Sequence, residues 1–128
     1  MKLTKWIHKR KRILLVGMII VLLLVTLLPS NKIPLMPNWK SLLQPDKIVH
    51  VLLFSGVSCI LLLNISRYRY WKNVFIGFLI GLFLAVVTEI LQGVLPIGRS
   101  MNIYDAIANI IGLFVGFLLW TILIKRNK

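Results

Sequence analysis

The chain has 128 residues, 59% of them hydrophobic, and a mean hydropathy of +0.89. This composition is too apolar for a soluble domain and indicates a membrane protein. The formal net charge of +13 comes from 16 Lys and Arg residues against three Asp and Glu residues. Cys59 is the only cysteine, which excludes a disulfide or a multi-cysteine metal motif within one chain.

Four apolar runs follow one another along the chain. A helix that spans a bilayer needs about 20 apolar residues, with a range of roughly 17–25. The first run has sixteen, and we expect it to span because its flanking basic side chains can reach the headgroups. A signal peptide is the alternative there, although no small-x-small cleavage site follows. We therefore predict an all-α, polytopic four-transmembrane-helix bundle, a single membrane domain over residues 1–128. Its predicted spans are Ile13–Leu28, Ile48–Ile65, Val74–Leu95 and Ile103–Ile124.

The basic residues flank these runs and predict the topology. Twelve of the sixteen lie in three segments, residues 1–12, 67–72 and 125–128. By the positive-inside rule these segments are cytoplasmic, so both termini are inside and the loop from Pro29 to Pro45 is outside, with Trp39 as a headgroup anchor. Topology thus explains the positive charge, and no nucleic-acid partner is needed.

The three acidic residues each lie within or at the edge of an apolar run. An ionisable side chain there is costly and usually functional. A turn at Leu95–Met101 joins the last two runs and brings Glu89 and Asp105 to the same end of neighbouring helices. In the predicted topology, the strongest polar groups all lie in the outer half of the membrane. We predict one polar ligand site, open to the outside, built from Asp46, Lys47, His50, Glu89, Gln92, Arg99, Asp105 and Asn109.

Two features of this site have both a plain and a functional interpretation. Asp46 is an ordinary residue for the first turn of a helix, but it also lies one turn from His50, where a carboxylate can orient the imidazole. A buried histidine satisfied by a neighbour is the plain alternative for His50. The small residues at four-residue spacing in the third and fourth runs predict close helix packing. A charge cluster that only holds the helices together is therefore the structural alternative. The small residues are Gly77, Gly81, Ala85, Gly112 and Gly116.

The order and spacing of these polar residues resemble the VanZ family. The resemblance covers residues 45–116, through DKIVH at Asp46–His50, the pair Glu89 and Gln92, then Arg99, and finally Asp105-x-x-x-Asn109-x-x-Gly112. VanZ-like proteins are small multi-span bacterial membrane proteins, some linked to resistance to teicoplanin and related glycopeptides. The resemblance implies a cell-envelope role at the bacterial cytoplasmic membrane, and it carries the same eight site residues.

The sequence leaves three functions open for this site. The first is a protein that binds or modifies an outer-leaflet or cell-wall-related component, with Arg99 and Lys47 holding phosphate or carboxylate groups. The second is an intramembrane enzyme that uses Glu89 and His50, with Asp105, as acid–base groups or metal ligands. The chain has no H-E-x-x-H or G-x-S-x-G motif, so neither catalytic residues nor a cofactor or resident metal are assigned. The third is a small transporter or flippase, which would need a homo-oligomer to form a through-path.

Overall fold

The computed structural model describes residues 2–29, 45–65 and 69–126, which form four helices and no strand. The predicted all-helical fold is therefore confirmed. The predicted loop between the first two runs, with Trp39, lies outside the described residues. The helices are α1 (Lys2–Thr26), α2 (Pro45–Ile65), α3 (Tyr70–Val94) and α4 (Ile103–Arg126).

Three of the four helices are long and apolar enough to cross a membrane: α2, α3 and the part of α4 that ends at Leu123. These three helices fit a membrane protein and are its candidate spans. In α1, the uncharged part runs only from Ile13 to Thr26. At 1.5 Å per residue this is ~21 Å, shorter than the ~30 Å hydrocarbon core of a bilayer. That α1 is a fourth span stays a prediction.

Helices α2 and α4 run parallel and form the closest interface of the bundle. Ser58 Oγ donates a hydrogen bond to the carbonyl oxygen of Leu113 at 3.0 Å. A Cβ atom added to Gly112 would lie 2.6 Å from the carbonyl oxygen of Val51, and one added to Gly116 would meet the backbone of Ser55 even more closely. The predicted close packing is confirmed here, because only glycine lets the two backbones approach this far. We call this interface the α2–α4 seam.

Helix α3 presents a buried stripe of mostly small residues to the other helices. Its glycines meet side-chain methyl groups instead of backbone: Gly77 faces Leu62, and Gly81 faces Leu113. Helix α3 is therefore held by side-chain packing, which leaves more room between helices than the α2–α4 seam does. The stripe consists of Asn73, Gly77, Gly81, Ala85, Thr88, Glu89 and Gln92.

The hydrophobic core joins all four helices in the middle of the bundle. It is formed by buried side chains from each helix, and Leu22 of α1 and Phe54 of α2 are fully enclosed.

At one end of the bundle, near the first basic segment, Asn64 Nδ2 donates a hydrogen bond to the carbonyl oxygen of Lys11 at 2.9 Å, which ties α1 to α2. Tyr70 stacks on the buried ring of Trp120 with centroids 5.5 Å apart. We call the end of the bundle that contains Asn64, Tyr70 and Trp120 the basic end.

The turn between α3 and α4 closes the opposite end, which we call the acidic end because all three acidic residues lie there. Leu95 has an extended backbone, as expected for the residue before a proline. Gly98 adopts a φ of 69°, a left-handed conformation that favours glycine. Asn102 then begins α4, because its side-chain oxygen accepts the backbone N–H of Tyr104 at 2.9 Å. The turn places α4 alongside α3 and fixes the position of Asp105 along the bundle relative to Glu89.

Candidate ligand site at the acidic end

An ion triad joins the first turns of α2 and α4. Lys47 Nζ lies 2.6 Å from Asp46 Oδ2 and 2.6 Å from Asp105 Oδ1. The side chains of Lys47 and Asp105 are each only 4% exposed, whereas that of Asp46 is 35% exposed. Buried charges are tolerated when they are paired at short range, and here one ammonium group serves two carboxylates. Lys47 therefore acts as an internal counter-ion.

A separate hydrogen-bond chain joins three other polar side chains, His50, Asn109 and Glu89. His50 Nδ1 lies 2.7 Å from Asn109 Oδ1, and Asn109 Nδ2 donates to Glu89 Oε1 at 3.2 Å. Because the amide nitrogen of Asn109 faces the carboxylate, its oxygen faces the imidazole, and His50 must carry its hydrogen on Nδ1. The chain links α2, α4 and α3 through three buried side chains.

The expectation that Asp46 orients His50 is wrong. Asp46 bonds to Lys47, its neighbour in sequence, while the imidazole turns towards α4 and bonds to Asn109. The physical reason is that the ammonium group of Lys47 already bonds to the carboxylate of Asp46, while the imidazole has Asn109 within hydrogen-bond distance across the α2–α4 seam. The one-turn spacing of Asp46 and His50 therefore places them on one face without joining them.

Glu89 is held from two sides. Besides Asn109, the backbone N–H of Asn102 donates to Glu89 Oε2 at 3.3 Å. The side chain of Glu89 is almost fully buried, and no Lys, Arg or His of the described segments forms an ion pair with it. Sequence reasoning missed Asn102. Its signal was an asparagine directly before an apolar run, which is typical of a helix N-cap.

Gln92 and Arg99 are not part of the hydrogen-bond chain formed by His50, Asn109 and Glu89. Gln92 Nε2 donates to the carbonyl oxygen of Thr26 at 2.7 Å, so Gln92 connects α3 to the end of α1. That carbonyl is in the last turn of α1, where no intrahelical partner follows. Gln92 Oε1 is buried and has no hydrogen-bond partner among the described residues. Arg99 lies partly exposed in the turn, without an ion pair to the described segments, and its role in the site stays a prediction.

A groove opens between α3 and α4 beside Glu89. Its volume is about 410 Å³, and its polar end is formed by Glu89 and Asn102. Towards the basic end, a second cavity of about 500 Å³ lies between α3 and α4, with Ser58 of α2 also in its lining. The rings of Phe78 and Phe114, with centroids 5.6 Å apart, lie beside this second cavity. We call the first cavity the Glu89 groove. Its apolar walls are Leu82, Ala85, Val86, Ile90, Met101, Ile103, Ala106 and Ile110.

The donor set does not favour a metal centre. In residues 2–29, 45–65 and 69–126, no group of three or more His, Cys, Asp or Glu side chains is arranged to hold a metal ion. The ammonium group of Lys47 lies between Asp46 and Asp105, in the position that a bound cation would take. Glu89 and His50 are joined only through Asn109. The metal version of the enzyme hypothesis therefore has no support from this geometry.

Comparison with known proteins identifies the family. A family model described as VanZ/LLP1 matches residues 9–124, which include all of α2 and α3 and all eight predicted site residues. No curated protein and no solved structure matches the chain. The match spans far more than half of the sequence, and the resemblance seen in residues 45–116 lies wholly inside it. The chain belongs to the VanZ/LLP1 family.

Proposed function

We propose that this protein acts in the bacterial cell envelope, where it binds or modifies an outer-leaflet or cell-wall-related component and contributes to glycopeptide resistance of the teicoplanin type. Family membership and three membrane-spanning helices support an envelope role. The proposed ligand site comprises Asp46, Lys47, His50, Glu89, Gln92, Arg99, Asp105 and Asn109.

The observation that carries the proposal is the position of Glu89. This one side chain belongs both to the buried hydrogen-bond chain and to the lining of the Glu89 groove. A ligand with a polar head and a hydrocarbon chain can therefore bond to the network while its chain lies against apolar helix faces. Ligand sites are typically apolar cavities with a few converging polar groups, and this site fits that description.

The proposal includes a topology. With the basic end in the cytoplasm, both termini are cytoplasmic and the acidic end faces outward, as the positive-inside rule predicts. Helix α1 then spans the membrane as a fourth helix, its basic side chains reaching the inner headgroups. The polar site comes to lie in the outer half of the bilayer, where lipid-linked cell-wall components are exposed.

Lys47 and Arg99 take different parts in this proposal. Lys47 contacts two carboxylates and is buried, so it positions Asp46 and Asp105. Arg99 has no such partner in the described segments and is the cation that a phosphate or carboxylate of the ligand would meet at the mouth of the site.

The test is teicoplanin susceptibility of a Gram-positive host that expresses wild type or Glu89→Gln at matched membrane levels. The matched control is Phe83→Leu, a change on the same helix at a side chain that is 66% exposed and outside the groove lining. We expect wild type and Phe83→Leu to raise resistance and Glu89→Gln not to do so. Equal resistance from all three would show that Glu89 has a structural role only. If none raises resistance, the resistance part of the proposal is wrong.

A second candidate is an acid–base reaction at the same site. It is favoured by the hydrogen-bond chain that connects the imidazole of His50 to the carboxylate of Glu89 through the side-chain amide of Asn109. Such a chain holds a proton donor and an acceptor in fixed positions. If the reaction is hydrolysis, water is the co-reactant, and purified protein in lipid nanodiscs would cleave a lipid-linked cell-wall precursor into two products whose masses add up to precursor plus water. An unchanged precursor mass, with binding retained, would leave only the binding function.

A further inference from the structure

We infer that the ligand of the Glu89 groove is an amphiphile with an amine head group, whose ammonium ion bonds to Glu89 and whose hydrocarbon chain lies between α3 and α4. This inference rests on the proposed function and names the ligand class.

The charge balance around Glu89 is negative. Asp46 and Asp105 share the single ammonium group of Lys47, and Glu89 forms no ion pair with the described segments. In formal charges, this end of the bundle holds three carboxylates, Asp46, Asp105 and Glu89, against two cations, Lys47 in the triad and Arg99 in the turn. Charges in a low-dielectric site interact strongly, so at Glu89 itself an anionic group is repelled and a cationic one is attracted, while an anionic group of the same ligand would meet Arg99 outside the groove lining. Charge complementarity therefore favours an ammonium group at Glu89.

The remaining hydrogen-bonding capacity points the same way. Each oxygen of Glu89 accepts one N–H, from Asn109 and from the backbone of Asn102. A carboxylate has about four acceptor positions, so roughly two stay open. An ammonium group offers three donors and no acceptor, whereas a phosphate offers mainly acceptors. The polar end of the groove thus lacks donors, which a ligand with an amine would supply.

The shape of the groove provides for the chain of the ligand. From Glu89, Val86 and Ile110 line the groove, and Phe78 lines the second cavity further along α3. Along α3 the distance from Glu89 to Phe78 is ~16 Å, close to half the hydrocarbon thickness of a bilayer. The groove therefore fits a lipid chain that enters sideways from the outer leaflet. A partner helix without Lys or Arg at the level of Glu89 would cover the apolar walls but would not neutralise Glu89.

The test uses full-length protein in phosphatidylcholine nanodiscs and three photoreactive alkyl probes. The probes have the same chain, with a diazirine at mid-chain, and carry an amine, a hydroxyl or a phosphate head. Cross-link yields are measured by mass spectrometry and mapped to individual residues. We expect the amine probe to label the groove walls, Val86 and Ile110, about tenfold more than the phosphate probe, as one charge-assisted hydrogen bond predicts.

Three variants separate head-group recognition from chain binding. Glu89→Gln should remove the preference for the amine probe and leave labelling by the hydroxyl probe unchanged. Ala106→Phe, which fills the groove without changing a polar group, should reduce labelling by all three probes. Ile111→Phe is the matched control, because Ile111 neighbours Ile110 but is absent from the groove lining. It should label like wild type.

The outcomes distinguish this inference from the proposed function. Equal or stronger labelling by the phosphate probe in the groove would overturn the amine assignment and leave the proposed function standing. Absence of groove labelling by any probe, with resistance still lost in Glu89→Gln, would overturn the inference alone. A cross-link between two copies of the chain through the groove walls would assign the groove to a partner helix and also overturn it. Retained resistance in Glu89→Gln would instead reject the proposed role of Glu89 in the ligand site, and resistance from no variant would reject the resistance part of the proposed function, whatever the probes show.

Discussion

Helix α4 has two interfaces of opposite character. Towards α2, Gly112 and Gly116 lie against backbone atoms, and the ion triad closes the seam at the acidic end. Towards α3, side chains separate the helices, and the Glu89 groove and a second cavity remain open. The same helix thus forms a closed scaffold on one face and an open, apolar surface on the other.

The difference shows how a small bundle can combine a fixed site with access from the membrane. Helices in lipid associate through close packing and polar contacts, because lipid is as apolar as the side chains. The α2–α4 seam has both, so it holds His50 and Asn109 in register. The α3–α4 interface has fewer close-packed and polar contacts, and it can admit the hydrocarbon chain of a ligand. Substitutions in the seam should therefore lower stability, and substitutions in the groove should change ligand binding alone.

The largest loss of stability is expected for Lys47→Met. The variant leaves the buried carboxylate of Asp105 without its counter-ion, and removing one partner of a buried ion pair costs ~3–5 kcal/mol. Thermal or denaturant unfolding of the purified protein in a mild detergent measures the change. Adding Asp105→Asn to Lys47→Met should recover at least half of the lost stability. A loss below ~1 kcal/mol in the single variant would mean that the triad contributes little.

A smaller loss is expected for Gly116→Ala. The added methyl group would meet backbone atoms of Ser55 and Cys59, which cannot move aside as a side chain can. Overpacking of this kind costs ~1–3 kcal/mol. Gly17→Ala is the matched control, because a Cβ there meets nothing within 4 Å, and alanine favours a helix over glycine. Equal unfolding temperatures for Gly116→Ala and wild type would show that the seam is looser than the structure indicates.

On the groove side, Val86→Ala should hardly change stability. Val86 is 49% exposed and faces the groove, so its free energy of unfolding should change by no more than ~0.5 kcal/mol. The same variant enlarges the groove and should change the yield of the photoreactive amine probe. A loss as large as that of Gly116→Ala would contradict the distinction between a closed seam and an open groove.

The smallest effect on stability is expected for Arg99→Ala. Arg99 has no ion pair with the described segments, so its removal should leave the unfolding temperature unchanged within error. If Arg99 binds an anionic group of the ligand, the variant should weaken retention of that ligand in nanodiscs. Normal ligand retention would reject the role of Arg99, and the site would then reduce to the network around Glu89.

Much of the fold followed from the sequence, because length and hydropathy along one helix are local properties. The runs at Ile48–Ile65, Val74–Leu95 and Ile103–Ile124 correspond to α2, α3 and α4 within a few residues. The first run gave a helix, but the basic residues before Ile13 continue it, so hydropathy did not mark where α1 begins. The predicted gathering of Asp46, Glu89 and Asp105 at one end also followed, since chain direction alternates between helices that are joined by short connections.

The sequence by itself therefore determined the position of each polar residue along its helix and the helix face on which it lies. Only the tertiary structure decided the partners: Lys47 bridges two aspartates, and His50 bonds to Asn109 instead of Asp46. The reason is that contacts across helices depend on the rotation and separation of each pair. Those are set by where backbone meets backbone at Gly112 and Gly116 and where side chains hold α3 away, which leaves the groove beside Glu89 open.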